Sequence, residues 1–315
     1  MTAARLTIHQ AGPHVTLQDA GRPGLMRFGV PASGPMDRTA LAIANTALGN
    51  PTGATGIEVS PGGLTLEVDF APLGIAIAGG GFVVSCNGRT HGSWSVLTLQ
   101  PNDRLTIRPG PWGNWCSLAV AGQIQCRTWL ESASTHANSG LGGGALQAGQ
   151  TLTVTNPRPA PEGSIPCPVW ARPKRRLHVT LGPQDSLFAP ETIQTFLSTP
   201  FALTAAFDRM GQRLSGPPLT PRDALGIPSQ AVTRGAVQVS GDGTATVLMA
   251  DHQTTGGYPK IATLLSHETD ALAQLRPGDR VAFHAVTPAQ AVALARTRAA
   301  ALQSYLARLS ALRHM

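Results

Sequence analysis

The chain has 315 residues, an apolar fraction of 42% and a mean hydropathy near zero, values of a globular protein with one large domain or two ordinary ones. Its 35 glycines and 26 prolines fall between short apolar runs, as turn residues do, which excludes a disordered low-complexity tract. The net charge of +7 does not make a nucleic-acid binder, because the one compact basic run, RPKRR at 172–176, has no interleaved aromatic residues and no recognition motif; it reads as a solvated linker or a contact for an acidic partner.

The start MTAARLTIHQ lacks the apolar region of a secretory signal, and no apolar stretch reaches the eighteen or so residues of a membrane span. The four cysteines form no CxxC pair. A soluble, reduced, cytoplasmic protein without membrane or nucleic-acid partners is expected.

Two motifs near the start, TLQDAGRPG at 16–24 and SGPMDRTAL at 33–41, each set an aspartate beside an arginine in a Gly/Pro frame. Residues 37–48 have helical spacing, and Asp37 stands where a carboxylate complements the helix dipole, so it is either a cap or a functional acid. Runs of strand length and β-branched content follow: LTLEV, GIAIAG, SVLTLQ, RLTI and TLTVT, then RLHVTL, AVQVS, ATVLMA and RVAFHA. Between the two groups lies the proline-rich stretch 156–176, the composition of a semi-rigid linker. Thr287-Pro288 signals a helix N-terminus, and a helix is expected over 288–313. No acidic residue follows Asp279, whereas Arg296, Arg298, Arg308 and Arg313 do, so much of the excess charge belongs to this tail.

The halves repeat one another. IEVSPGGLTL at 57–66 parallels VQVSGDGTAT at 237–246, and LQPNDRLTI at 99–107 parallels LRPGDRVAF at 275–283, offsets of roughly 180 residues, about one domain. The expected layout is a β domain over 1–160, a linker over 161–176, a β domain over 177–287 and a helix over 288–315.

Several mechanisms are missing their motifs. There is no phosphate loop of the GxxxxGK[ST] kind, so the glycine groups at 79–81 and 142–144 read as turns. The nine histidines form no HExxH and no cluster with cysteine, so no metal site is expected. No GxSxG elbow marks a serine hydrolase.

Two stretches carry concentrated chemistry. FDRMGQRLSG at 207–216 spaces Arg209 and Arg213 four apart beside Asp208, a grip for a carboxylate or phosphate if the segment turns like a helix, or a structural ion-pair cluster. DHQTTGGYPKIATL at 251–264 holds Tyr258, one of two tyrosines in the chain, together with Lys260. Adjacent strand residues point to opposite faces, so Asp251 and His252 form no dyad unless the strand has already ended. The Gly256-Gly257 pair permits positive φ and close approach to a ligand, with Thr254, Thr255, Tyr258 and Lys260 placing donors around it; a bulged hairpin turn is the competing account.

DRMGQRL, ADHQTTGGYPKIATL, AQLRPGD, TLQDAGRPG and VPASGPMDRTALAIANTALGNP, at these separations, resemble the KipA family, also called the 5-oxoprolinase C subunit or the biotin-dependent carboxyltransferase (allophanate hydrolase subunit 2) family. The resemblance implies a mainly β chain of two cyclophilin-like β-barrel domains related by internal duplication, with a C-terminal helix. It implies a protein that works with KipI-like B and LamB/YcsF-like A subunits to convert 5-oxoproline to glutamate using ATP. Carried over by motif, the site comprises Asp208, Asp251 and Lys260 as catalytic candidates. Arg209, Arg213, Gln253, Thr254, Thr255, Gly256, Gly257 and Tyr258 are the substrate-binding ones.

In this reading Arg209 or Lys260 neutralises the carboxylate of a small cyclic amide, while Thr254, Thr255 and N–H groups near Gly256 polarise its carbonyl. Asp208 or Asp251 orients or deprotonates. The chain has neither an ATP loop nor a biotinyl-lysine motif, so it binds no cofactor alone. ATP, or biotin in the alternative of carboxyl transfer to a urea-like amide, arrives on other chains. A further alternative is a non-enzymatic antagonist of a KipI-like kinase inhibitor. NWCSLAVAGQI at 114–124 and ESASTH at 131–136 depart from the family's usual pattern.

Overall fold

Alternating apolar residues flanked by turn formers become strands here, and the computed structural model, which describes residues 3–222 and 227–312, is mainly β. The chain divides into two units: one takes residues 1–22, 33–172 and 302–315, the other 23–32 and 173–301. The boundary falls inside the proline-rich stretch. The front of that stretch is built into the first unit, where the short strand Gly163–Ser164 pairs with Ser95–Leu99.

In the first unit a seven-stranded and a six-stranded sheet enclose one core of Leu6, Ile8, Ile57, Leu66, Ile75, Ile77 and their neighbours. Strand Leu73–Ala78 is buried on both faces, and its sequence shows why. Leu73, Ile75 and Ile77 fill that core, while Ala76 and Ala78 are small enough to lie under helix α1 (Arg38–Leu48). Asp37 caps α1, its Oδ1 accepting the N–H of Ala40 at 2.9 Å. Such a cap contributes about 1 kcal/mol. The final helix, α4 (Pro288–Leu312), buries Tyr305 and Leu309, and Tyr305 Oη donates to the carbonyl of Pro166 at 2.6 Å. The expected helix end at Arg313 lies outside the described residues.

The second unit is a closed seven-stranded barrel. Its first strand, Arg176–Leu181, pairs in parallel with its last, Arg280–Ala285, and this contact completes the ring. Helix α2 (Pro190–Ser198) presses Phe196 onto Phe283, the rings stacked 4.7 Å apart. Helix α3 (Glu268–Ala273) is a buried six-residue turn. The sequence did not announce α2 or α3: one is mostly polar and the other too short to show periodicity.

The repeated turn is duplicated bond for bond. In LQPND, Gln100 N–H donates to Asp103 Oδ2 at 2.8 Å, Asn102 N–H to Val68 O at 2.6 Å, and Asp103 O accepts from Val68 N–H at 3.1 Å. In LRPGD, Arg276, Gly278, Asp279 and Leu203 make the same three bonds at 2.8, 2.8 and 2.9 Å. The left-handed position is Asn102 (φ 72°) in one copy and Gly278 (φ 89°) in the other.

The other repeat diverges. Strands Ala236–Val239 and Ala245–Leu248 pair with each other, whereas Gly56–Val59 and Leu64–Asp69 belong to different sheets.

A Cβ on Gly278 would touch nothing, so Gly278→Ala isolates backbone strain. It is expected to cost about 1–2 kcal/mol in denaturant unfolding, while Asn102→Gly leaves stability unchanged or slightly higher.

Candidate active site

Strand Phe201–Phe207 ends in a turn that Asp208 builds. Its Oδ1 accepts the N–H groups of Met210 (2.7 Å) and Gly211 (3.0 Å), and the chain returns as Gly211–Ser215. Local carboxylate bonding of this kind competes with helix formation. Arg209 and Arg213 therefore do not share a helix face: Arg209 lies in the turn and is 2% exposed, and Arg213 is exposed on the strand.

Strand Ala245–Leu248 ends before Asp251, and the two turns are tied together. Met249 N–H donates to Met210 O at 2.8 Å and Asp251 N–H to Arg209 O at 2.7 Å. Arg209 Nε and Nη2 donate to Asp251 Oδ2 and Oδ1 at 2.8 and 3.1 Å, a two-pronged ion pair with both members buried. Each charge faces the other, and neither lies on the wall of the cavity described below. His252 follows, with Nδ1 2.6 Å from Gln253 O. Burial pushes the ring's pKa down, which favours the neutral form.

Beyond it, Thr255–Gly256 forms a two-residue strand with Gln230–Ala231. Gly256 and Gly257 do not take the positive φ expected of them. They pack closely instead: a Cβ on Gly256 would stand 2.6 Å from Gln238 Nε2, the movable end of a side chain, and one on Gly257 3.3 Å from Ile227 O.

The barrel register aligns Arg213, Thr246, Gln238 and Lys260 in one row across four neighbouring strands. The first three line a cavity of about 560 Å³, together with Asp208, Gln253 and Tyr258, the apolar Phe207, Met210 and Leu248, and Ser240. Arg213 forms no ion pair among the described residues and is the cavity's cation.

Lys260 ends the row. Its Nζ is buried with no hydrogen-bond partner, and burial pushes its pKa below 10.5. Its main-chain N–H donates to Gln184 Oε1 at 3.1 Å.

Of the residues expected from sequence, Asp208, Arg213, Gln253 and Tyr258 thus meet at the cavity. Arg209 and Asp251 meet each other behind it, and Lys260 adjoins Gln238. Thr254, Thr255, Gly256 and Gly257 do not line the wall. Gln238, Thr246 and Ser240 were not foreseen. Their signal is the second copy of the repeat, where polar residues interrupt buried strands.

In the first unit, the stretch ESASTH folds onto TLQDAGRPG. Asp19 accepts from Ser132 Oγ, Ser134 Oγ and Ala133 N–H, each at 2.6 Å, and Arg22 donates to the carbonyls of Trp129, Ser132 and Ser134. These groups hold a loop.

Residues 28–285 match the family described as carboxyltransferase domain, subdomain A and B, and the chain belongs to it. It is 32% identical over 286 residues to the 5-oxoprolinase C subunit of Haemophilus influenzae, covering 89% of this chain and 91% of that protein. Among solved structures it is similar to TTHA0988 (31% identity, TM-score 0.81), over 89% of this chain and 56% of that one. It is also similar to the urea amidolyase of K. lactis (25% identity, TM-score 0.85), over 96% of this chain and 20% of that one. The chain thus spans nearly all of the Haemophilus protein, about half of TTHA0988 and a fifth of the amidolyase.

Removing one member of the buried pair leaves an uncompensated charge. Arg209→Met or Asp251→Leu alone is expected to cost about 3–5 kcal/mol in denaturant unfolding, and the double variant to recover more than half of it.

Lys260 tests the sign of a depressed pKa. Between its lowered folded value and 10.5 the unfolded chain binds the extra proton. Its contribution to stability is therefore fully present above 10.5 and is lost as pH falls through the folded value. Lys260→Met should melt no lower than the parent at neutral pH and lose the rise in melting temperature across that alkaline window.

Proposed function

We propose that this chain is the C subunit of an ATP-dependent 5-oxoprolinase, converting 5-oxoproline to glutamate with KipI-like B and LamB/YcsF-like A subunits in the cytoplasm. The observation that carries the reading is the near end-to-end match, in both directions, to a protein named as the C subunit of 5-oxoprolinase. The barrel cavity supports it: the guanidinium of Arg213 shares the wall with the carboxylate of Asp208 and with amide and hydroxyl groups, in a space that holds a small polar ring. Arg213 takes the substrate carboxylate, and the amide-bearing side of the cavity takes the lactam. Lys260 supplies an amine beside Gln238 whose charged form is disfavoured by burial. ATP is bound and used on the other subunits.

A second reading, carboxyl transfer from carboxybiotin to a urea-like amide, draws support from the family description and the likeness to the amidolyase. In it the same cavity holds the acceptor or the ureido ring.

The chain alone is expected to show no 5-oxoproline-dependent ATP hydrolysis, and mixing with the A and B subunits to give turnover. Activity of the lone chain, or none from the mixture, overturns the reading. Urea-dependent loss of carboxyl from carboxybiotin would favour the second one. In the active mixture Arg213→Met should lower kcat/KM at least tenfold, about 1.4 kcal/mol, with an unchanged melting temperature.

A further inference from the structure

The two strands that close the barrel carry a strip of cations on their outer face. Strands Arg176–Leu181 and Arg280–Ala285 bury Leu177, Val179, Val281 and Phe283, so the alternate residues Arg176, His178, Arg280, Ala282 and His284 face outward. Their parallel register sets Arg176 beside Ala282 and His178 beside His284. The strip therefore has three rungs, Arg280, then Arg176 with Ala282, then His178 with His284, about 6.6–6.8 Å apart. Lys174 stands two residues ahead of Arg176.

The acids closest to the strip are already engaged. Glu268 is 1% exposed, with Oε1 2.8 Å from His178 Nδ1 and Oε2 3.6 Å from Lys174 Nζ. Asp279 lies 3.8 Å from Arg175. The side chain of Arg280 makes no hydrogen bond or ion pair among the described residues. Two contacts also fix what the strip presents. Arg176 Nη2 is 3.0 Å from His284 Nδ1, and because a guanidinium only donates, that nitrogen accepts and the ring proton sits on Nε2. The His178 and His284 rings stand edge to face, 5.7 Å between centroids.

We propose that this strip docks an extended acidic segment of a partner protein, with Asp or Glu at alternate positions. Side chains on one face of an extended segment repeat at about 6.6–6.8 Å, the spacing of the rungs. Successive carboxylates then meet Arg280, Arg176 and the Nε2–H of His284, and the small side chain of Ala282 leaves room between them. Clustered arginines are a recurring way to read acidic motifs. The outer wall of a barrel is convex and does not enclose a small anion. Phe283, the only aromatic residue on these strands apart from the two histidines, faces inward and cannot stack on a nucleic-acid base. The basic run at 172–176 thus contributes Lys174 and Arg176 to a contact for an acidic partner. No residue of the two strands lines the barrel cavity, so the inference stands apart from the reaction assigned there.

The test is fluorescence anisotropy on the full chain with labelled peptides. One has the pattern Glu-Thr-Glu-Thr-Glu, and the other has the same composition with its glutamates adjacent. Inorganic phosphate and a single-stranded DNA oligomer serve as competitors. The alternating peptide is expected to bind about threefold or more tightly than the block peptide. Exposed ion pairs are individually weak, so Arg176→Gln and Arg280→Gln should each weaken it about threefold, and the double variant about tenfold. Arg296→Gln and Arg308→Gln, which remove the same charge from helix α4, should change it less than about twofold. Melting temperatures recorded beside the titrations should not move.

Equal binding of the two peptides, helix variants as damaging as the strip variants, or no peptide binding at millimolar concentration overturns the proposal. Displacement by phosphate or DNA at lower concentration than by unlabelled peptide overturns it in favour of a phosphate ligand. The parent chain's preference between the peptides needs no variant to fold.

Discussion

A guanidinium and a carboxylate taken out of water hold the second unit's site in shape. Arg209 and Asp251 lie 42 residues apart in sequence and meet through two charge-assisted bonds, with a main-chain bond between the same residues. Neither can leave without stranding the other in a medium that solvates charge poorly. The turn made by Asp208 and the turn that follows Leu248 thus have a fixed separation. The cavity wall between them, with Met210 and Asp208 on one side and Gln253 on the other, inherits that rigidity. An ion pair of this kind contributes little net stability compared with an apolar pair, but it is directional, and direction is what a binding site requires.

Polar groups are distributed unevenly around that anchor. Across the row Arg213, Thr246, Gln238 and Lys260, exposure falls from an open guanidinium to a buried amine. The two cations meet different dielectric surroundings. Arg213 keeps its charge in contact with water, while Lys260 is held where the charged form is disfavoured. One row therefore carries an exposed guanidinium at one end and a buried amine at the other. Thr246 and Gln238 between them add dipoles without adding charge.

Much of this is legible in the sequence, for identifiable reasons. Strand positions follow from runs such as GIAIAG, whose alternation of large and small residues suits a sheet with a core on one face and a helix on the other. Helix α1 follows from its spacing, and the duplicated turn from its repeated Pro-Asn/Gly-Asp. The DRMG and QTTGGYP stretches mark where the chemistry gathers. Roles within those stretches are not legible, because they depend on partners distant in sequence. Nothing local shows that Arg209 is consumed by Asp251, and helical spacing misplaced it on a face with Arg213. Gln238 resembles any polar residue on a half-buried strand until the register sets it opposite Lys260 and beneath Gly256. The glycine pair illustrates the same limit: that neither takes positive φ, and that Gly256 packs against Gln238, appears only in the fold.

The strand that opens the barrel and the strand that ends it lie side by side and run the same way, from Arg176 to Leu181 and from Arg280 to Ala285. Tension applied to the flanking chain at Arg176 and at Ala285 draws these strands in opposite directions along their own axes. The slanted bonds of the parallel pair then bear load together, in shear, where a hairpin pulled at its ends opens one bond after another. A barrel closed in this way is a mechanical clamp, strong toward stretching through its own termini whatever its thermal stability.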